Sequence, residues 1–560
     1  MKDFFKNNFF RRTFTRRVLS VFLVFVFLSI IFYAPLLRLL TTAFTDPEGH
    51  FTLQYFTSIF TRKYNLRVIS FTFKEAFLSA FVTLLLGLPG AYIVSHFNFK
   101  GKSLLLSLTT VPFVLPSLLV ALGFILLFGA NGFFNKILMA VLGLKAPLNI
   151  LYSFAGIIMV HAFYNFPVVV RIVGAQWEGI SDKYTFAARS LGANPIQTFF
   201  RVTLPLILPS IISSFSIVFL FCFLSFAIIL TIGGANFATL EVSIYTYFTM
   251  FSDFKMGSAL AIFQSAFSLF VVYVYLKIGN LFNIGALQRS FTEKENLSSS
   301  KPRLFLSIIY LIIVLILIIA PIFVVIIYAF LDPFTLAPTL ENFNELFSGM
   351  YNFLLGTTPI RVFLNSILFA LATIVVSNIL SLIIGFNMKG NFKAKNVLLT
   401  LLMLPLAISP ITVALSYIIS FQTPLNLLNS PFAILFAHIL ASFPFALRTI
   451  MPVVETTSES YMYAARSLGL SGIKSFINVE LNLIKPALIA SSIFVFAVSL
   501  GEFGATFMLY RPEYTTMTVA LYRFLSGRHY GPASAVGGIF IVLNIIMFFI
   551  IDKLSINRRE

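Results

Sequence analysis

Charge is scarce in this sequence: 11% of its 560 residues are charged, and Asp and Glu number 20 against 39 Lys and Arg. There is one cysteine, Cys222, and one tryptophan, Trp177. A single thiol excludes an internal disulfide, and Cys222 lies inside an apolar run, where it reads as a small packing residue. No polar stretch is long enough for a soluble catalytic module, and without such a module the net charge of +19 does not point to nucleic acid. No small-residue cleavage site follows the basic, apolar N-terminus, so the apolar run from Val18 is expected to remain as a membrane span. A phosphate-binding loop is missing as well. Gly101, Lys102 and Ser103 imitate its tail, but His96 stands where the motif needs its first glycine.

What is abundant is apolar: 59% hydrophobic residues and a mean hydropathy of +0.95 describe an all-α polytopic membrane protein. Six runs long enough to span a bilayer lie near Val18–Leu40, Ile69–His96, Leu104–Leu127, Ile150–Ile172, Leu206–Ile232 and Ala259–Phe282. Six more lie near Leu304–Phe330, Asn365–Met388, Val397–Ile419, Pro431–Ile450, Leu483–Leu509 and Ala533–Ile551. About twelve helices put both termini on one side. Lys2, Lys6, Arg11, Arg12, Arg16 and Arg17 in the tail, with Arg189, Arg201, Arg303, Arg466 and Lys474 in later loops, make that side cytoplasmic. Arg62, Lys63, Arg67, Arg511, Arg523 and Arg528 fall on the other face. Trp177, just past the fourth span, reads as an interfacial anchor.

The chain also repeats itself. The string A-A-R-S-L-G at Ala187–Gly192 recurs at Ala464–Gly469, about 277 residues on, within an ungapped match of His161–Pro209 to His438–Pro486. Pro35, Ala43, Phe44 and Asp46 answer to Pro321, Ala329, Phe330 and Asp332, and Pro112 to Pro405. The segment from Gln288 to Arg303 is polar and Ser-rich and reads as a linker. The domain organisation is therefore a first six-helix half, 1–287, a cytoplasmic linker, 288–303, and a second half, 304–560. The best-matched part includes a polar loop in each half, 173–205 and 450–482. Connecting two helices requires no repeated polar sequence, so a partner outside the membrane is expected to read it.

Ionisable residues inside spans are costly and therefore candidates for function. Glu502, between Gly501 and Gly504 in the eleventh span, is a candidate for the substrate path, and its repeat partner is Ser225. His161 and His438 recur at equivalent sites and read as interhelical hydrogen-bonding groups. Lys74 and Glu75 read as snorkelling residues at the outer end of the second span. Pro112, Pro116, Pro405 and Pro410 predict kinks in the third and ninth spans. Two six-helix halves also suit an ion-coupled secondary transporter, but embedded acid and base pairs look too few for proton coupling.

The repeated loop resembles that of the membrane subunits of type I ABC importers, whose motif is E-A-A, three residues, G, nine residues, I-x-L-P. Here Ala187, Ala188 and Gly192 precede Leu204 and Pro205 at that spacing, and Ala464, Ala465 and Gly469 precede Leu481 and Asn482. Phe186 and Tyr463 replace the glutamate, and Asn482 the closing proline. The resemblance implies a permease without its own catalytic, cofactor or metal site, in a bacterial cytoplasmic (inner) membrane. Its partners would be two copies of an ABC ATPase subunit, which uses the ATP, and an extracytoplasmic substrate-binding protein. Ala187, Ala188, Arg189 and Gly192, with Ala464, Ala465, Arg466 and Gly469, would form the ATPase-coupling helices. The strings S-F-A-I-I-L-T-I-G-G from Ser225 and S-L-G-E-F-G-A-T from Ser499 are similar to the ferric iron and thiamine permeases. A small cationic solute is the substrate this implies.

Overall fold

The computed structural model describes residues 19–103, 105–106, 115–234, 236–281, 295–296, 301–332, 335, 337–390, 394–422 and 426–556. Most of the linker at 288–303, the basic N-terminal tail and Pro112 lie outside them. The described chain is helical, its one sheet being a two-residue parallel pairing of β1 (Phe97–Asn98) with β2 (Glu295–Asn296). In a bilayer no water is present to satisfy backbone groups, which is why long apolar segments close their hydrogen bonds internally as helices. Among the described residues eleven helices are long and apolar enough to cross a membrane, or twelve if one sharply bent pair is counted as a span.

The first half contains α1 (Leu19–Ala43), α2 (Lys63–His96), α3 (Ser117–Phe128), α4 (Phe154–Glu178), α5 (Asp182–Ser190), α6 (Leu204–Phe223), α7 (Leu240–Thr249) and α8 (Phe254–Leu281). The second contains α9 (Lys301–Ala329), α10 (Pro359–Asn387), α11 (Lys395–Met403), α12 (Pro410–Ser420), α13 (Pro431–Thr456) and α14 (Glu459–Ser467). It ends with α15 (Leu481–Gly501), α16 (Gly504–Met508), α17 (Met517–Ser526) and α18 (Tyr530–Ile556).

Two compact units result, and they exchange their first spans. One comprises Met1–Phe51 with Asn344–Arg523 and Gly538–Glu560, the other Thr52–Phe343 with Phe524–Gly537. Thus α1 packs with α12 of the second half, while α9 packs with α3 and α2 of the first. Proline chemistry helps fix α1 there. Pro35 has no N–H to offer the Ile31 carbonyl one turn earlier, and the buried Tyr417 hydroxyl of α12 donates to that oxygen at 2.6 Å. The Tyr33 hydroxyl adds a bond to the Leu401 carbonyl at 2.9 Å. In the other unit Tyr310 of α9 donates to the Leu86 carbonyl of α2 at 2.7 Å. The turns that follow these two spans match: Asp46 N–H donates to the His50 carbonyl and Asp332 N–H to the Ala337 carbonyl, each at 2.9 Å. The N–H groups of His50 and Glu48 hold the half-buried Asp46 carboxyl below the usual carboxylate range.

Each unit is built on three mutually packed helices, α2, α4 and α6 in one and α10, α13 and α15 in the other. Small residues bring them close: a Cβ on Gly87 of α2 would lie 2.5 Å from Val169 Cβ of α4. The proline-rich ninth span is broken rather than kinked. Between α11 and α12 the axis turns by 94°, through a 3-10 turn at Leu404–Ala407. Pro405 and Pro410 remove two N–H donors within six residues, and the Ser409 side chain caps the new helix by accepting from Thr412 N–H.

Replacing Tyr417 with Phe should remove the hydrogen bond to Ile31 while keeping the ring's packing. The expected cost is about 1 kcal/mol, seen as a lower thermal midpoint of the purified chain in detergent; an unchanged midpoint would show that this bond does not hold α1.

Candidate functional site

A histidine with no access to water must satisfy two ring nitrogens from neighbouring helices, and His161 and His438 do so differently. His161 of α4 places Nδ1 2.5 Å from Glu75 Oε1 of α2 and Nε2 2.8 Å from Ser225 Oγ, just beyond α6. Ser79, one turn along α2, donates to the same Glu75 oxygen at 2.6 Å. A carboxylate oxygen only accepts, so Nδ1–H donates to Glu75 Oε1, and Nε2 of a neutral ring then accepts a hydrogen bond from the Ser225 hydroxyl. Cys222 and Asn165 complete the cluster, with Asn165 Nδ2 3.6 Å from the sulfur. Glu75, His161 and Cys222 are all buried, and their ligating atoms lie within 4.8 Å of one another.

In the second half the carboxylate comes from another helix. Ser499 Oγ lies 2.8 Å from His438 Nδ1, and Thr506 Oγ1 2.9 Å from Nε2. The Thr506 hydroxyl donates to Glu502 Oε2, so the histidine reaches its carboxylate through a threonine, the direct separation being 3.7 Å. The Glu502 carboxylate also accepts from Ala505 N–H at 2.8 Å and Thr506 N–H at 2.9 Å. It therefore serves the donors at the start of α16, where a carboxylate is electrostatically favoured. Thr518 of α17 donates to the Glu502 carbonyl at 2.8 Å.

The repeat register makes the exchange explicit. Ser225 corresponds to Glu502 and Cys222 to Ser499 in the ungapped spacing of the repeat. On α2 and α10, Thr72 accepts from Leu240 N–H as Ser366 accepts from Met517 N–H, which aligns Glu75 with Phe369. The Phe369 ring lies 5.6 Å from the His438 ring, in the place Glu75 takes beside His161. Each half thus keeps one carboxylate near its histidine, from opposite sides.

The buried Glu75 corrects the reading of that residue as a snorkelling group, and two histidine–carboxylate pairs correct the impression that such pairs are lacking. Lys74, its neighbour, does reach outward, over the Phe154 ring. The signal for Glu75 was in α2: Thr72, Ala76, Ser79, Thr83 and Gly87 recur at helical spacing and are all buried, while Phe77, Phe81 and Leu85 are exposed on the other side. Trp177 is not an exposed interfacial anchor either; it is buried against Tyr92, His96 and Phe199. Lys102 of the G-K-S string donates to the carbonyls of Val94 and Phe97, capping the end of α2 as a cation should.

The repeated loops have one backbone design. Ser181 begins α5 by accepting from Lys183 N–H, and the helix ends in a Schellman turn: Gly192 has φ 86° and Ala193 N–H reaches back to the Ala188 carbonyl at 3.0 Å. In the second copy Gly469 has φ 87° and Leu470 N–H reaches the Ala465 carbonyl at 3.2 Å. A short helical turn and a π-turn then lead into α6 or α15. Ala187 and Arg189 are exposed, Ala188 is half-buried, Ala464 is exposed and Ala465 is buried. Apolar side chains point out of this surface: Tyr184, Phe186 and Ile196 are exposed and Leu191 is 89% exposed, while in the second copy Tyr461 and Tyr463 are exposed and Leu468 is 85% exposed. Exposed apolar groups on a polar, motif-bearing loop make it a candidate interaction surface.

Residues 84–337 and 377–559 match the model of a family described as the binding-protein-dependent transport system inner membrane component. The thiamine transport system permease protein ThiP of Haemophilus influenzae is 26% identical over 494 residues, 87% of this chain and 88% of that one. ThiP of Escherichia coli is 24% identical over 507 residues, 89% and 90% of the two chains. The ferric transport system permease protein FbpB of Actinobacillus pleuropneumoniae is 26% identical over 537 residues, 92% of this chain and 75% of that one.

Substituting valine for Gly192 forces a β-branched residue into the left-handed region, at roughly 1–2 kcal/mol. Hydrogen exchange should then quicken over 182–198 and stay unchanged in α2 and α4; unchanged exchange in the loop would mean that the turn is not held by this glycine.

Proposed function

The chain belongs to the binding-protein-dependent transport system inner membrane component family, and on that premise we propose that its two repeated loops dock two copies of a separate ABC ATPase subunit. The chain itself is a transport subunit, a fused two-repeat permease of an ABC importer in the inner membrane. ATP is bound and hydrolysed by the partner, and an extracytoplasmic binding protein delivers the solute. Both termini and both loops face the cytoplasm, a reading supported by the basic residues of the tail and loops.

One observation carries the docking proposal: the same Schellman-terminated helix occurs twice, each time with exposed aromatic or aliphatic side chains around it. A glycine turn fixes the direction of each helix, so the loop moves with α6 or α15 as a lever. Ala187, Ala188, Ala464 and Ala465 allow close approach, and Arg189 and Arg466 pair with acidic or carbonyl groups on the ATPase. Closure of the ATPase dimer on ATP then becomes alternating access in the helices.

The solute is a small cation, thiamine first and ferric iron second, an assignment supported by the names of the relatives. Glu502 and Ser225 belong to the substrate path in this reading, with the Glu502 carboxylate attracting the cation and Ser225 supplying a hydroxyl at the equivalent position. The ion-coupled alternative is not favoured by the family match.

Reversing charge at both Arg189→Glu and Arg466→Glu should cut co-purification of the cognate ATPase at least about tenfold, a loss of ~1.4 kcal/mol or more, with the permease still monodisperse. Retained ATPase would overturn the docking assignment. Separately, Glu502→Gln should raise the KM for thiamine uptake several-fold without altering ATPase retention; an unchanged KM would confine Glu502 to capping α16.

A further inference from the structure

The first half holds a ligand set that the second half lacks. Glu75 from α2, His161 from α4 and Cys222 from α6 bring a carboxylate, an imidazole and a thiol within 4.8 Å of one another, all buried. Two further observations distinguish this cluster from a finished hydrogen-bond network. Glu75 Oε2 and Asn165 Oδ1 are buried acceptors with no hydrogen-bond partner, although the polar groups of a folded interior are nearly always satisfied. In the second half the same positions hold Phe369 and Ser499, and both Glu502 carboxylate oxygens are occupied by donors.

We propose that Glu75, His161 and Cys222 form a buried site for one divalent first-row transition metal, of the zinc or cobalt type. The donor chemistry selects that class. Mixed O, N and S ligands suit a borderline-soft cation, whereas Mg²⁺ and Ca²⁺ take oxygen. Charge supports it as well. A carboxylate and a thiolate together balance a divalent ion, so the loaded site is neutral in the low-dielectric interior, where an unbalanced charge is costly. Binding releases one net proton, that of Cys222, while the His161 ring stays neutral by giving up its Nδ1 proton and taking one on Nε2. The histidine then turns to its other tautomer, with Nε2–H donating to Ser225 Oγ, 2.8 Å away, as the outer nitrogen of a metal-bound histidine commonly does. Turning the Asn165 amide, whose Nδ2 faces the sulfur at 3.6 Å, would offer Oδ1 as a fourth ligand. The ion would tie α2, α4 and α6 together at their shared centre, independently of which solute the permease carries.

The test uses the full-length chain in detergent, stripped with chelator, incubated with Co²⁺ and freed of excess metal. One Co²⁺ per chain is expected, with thiolate-to-metal charge transfer in the near ultraviolet and the visible bands of a four-coordinate ion. Cys222→Ala should abolish the charge-transfer band, Glu75→Gln should weaken binding at least about tenfold, and Ser499→Ala in the second half should change neither. Zn²⁺ should displace Co²⁺ and bleach the spectrum. Failure of the unmodified chain to retain Co²⁺, or persistence of the charge-transfer band in Cys222→Ala, would overturn the proposal. Neither result bears on thiamine uptake or ATPase docking.

Discussion

Everything in each unit converges on one constraint: a histidine in the middle of three apolar helices has two polar atoms and no water. His161 and His438 answer it by drawing in groups from neighbouring segments, so that a hydrogen-bonding requirement becomes a set of interhelical links. The links work only because the helices can come close. Ser79, Thr83 and Gly87 line the buried stripe of α2, and Asn378 of α10 bonds Ser491 and Ser492 of α15. Apolar packing between helices gains little over packing against lipid, so these polar contacts specify which helices meet and in what register.

The repeated loops obey a different constraint, set by the end of a helix rather than by burial. Four carbonyls lack partners at such an end, and a glycine in the left-handed region lets the chain double back to satisfy them. That accounts for Gly192 and Gly469, and for the carbonyls of Ala188 and Ala465 to which the following N–H groups return. It does not account for the side chains. Nothing in the turn requires Phe186, Leu191, Tyr463 or Leu468 to be exposed, and their exposure is the observation on which the docking proposal rests. The motif therefore has two layers, backbone geometry in its glycines and, under the docking proposal, recognition in its exposed positions.

Much of this was legible in the sequence. Hydropathy located the spans, and the repeat located both loops, because length and identity are local properties. Glu75 was misread because a carboxylate near a span's end beside Lys74 fits a snorkelling pattern, and only the stripe from Thr72 to Gly87 shows which way that face turns. The exchange of α1 and α9 was not legible, since no local pattern states which half a helix packs with. Pro35 held a clue: its missing donor leaves the Ile31 carbonyl in need, but that Tyr417 supplies the proton, 386 residues away, is a matter of tertiary structure. The break between α11 and α12 was half visible, in prolines whose effect exceeded a kink.

The asymmetry between the halves bears most directly on how the chain divides its labour. Each histidine has one carboxylate near it, but Glu75 approaches as a direct partner from α2 while Glu502 approaches through Thr506 and holds the start of α16. Moving from one arrangement to the other needs two changes, at the Glu75/Phe369 position and at the Ser225/Glu502 position. Either change alone would leave a histidine with two carboxylates or with none. Two like charges at that separation in a low-dielectric interior repel strongly, and a histidine without an acidic partner would have to rely on hydroxyls for both nitrogens. The two halves are thus alternative solutions of one electrostatic problem, separated by an unfavourable intermediate. Both Glu502 carboxylate oxygens accept hydrogen bonds at the start of α16. Glu75 has one oxygen without a partner, and the only thiol in the chain lies within reach of it.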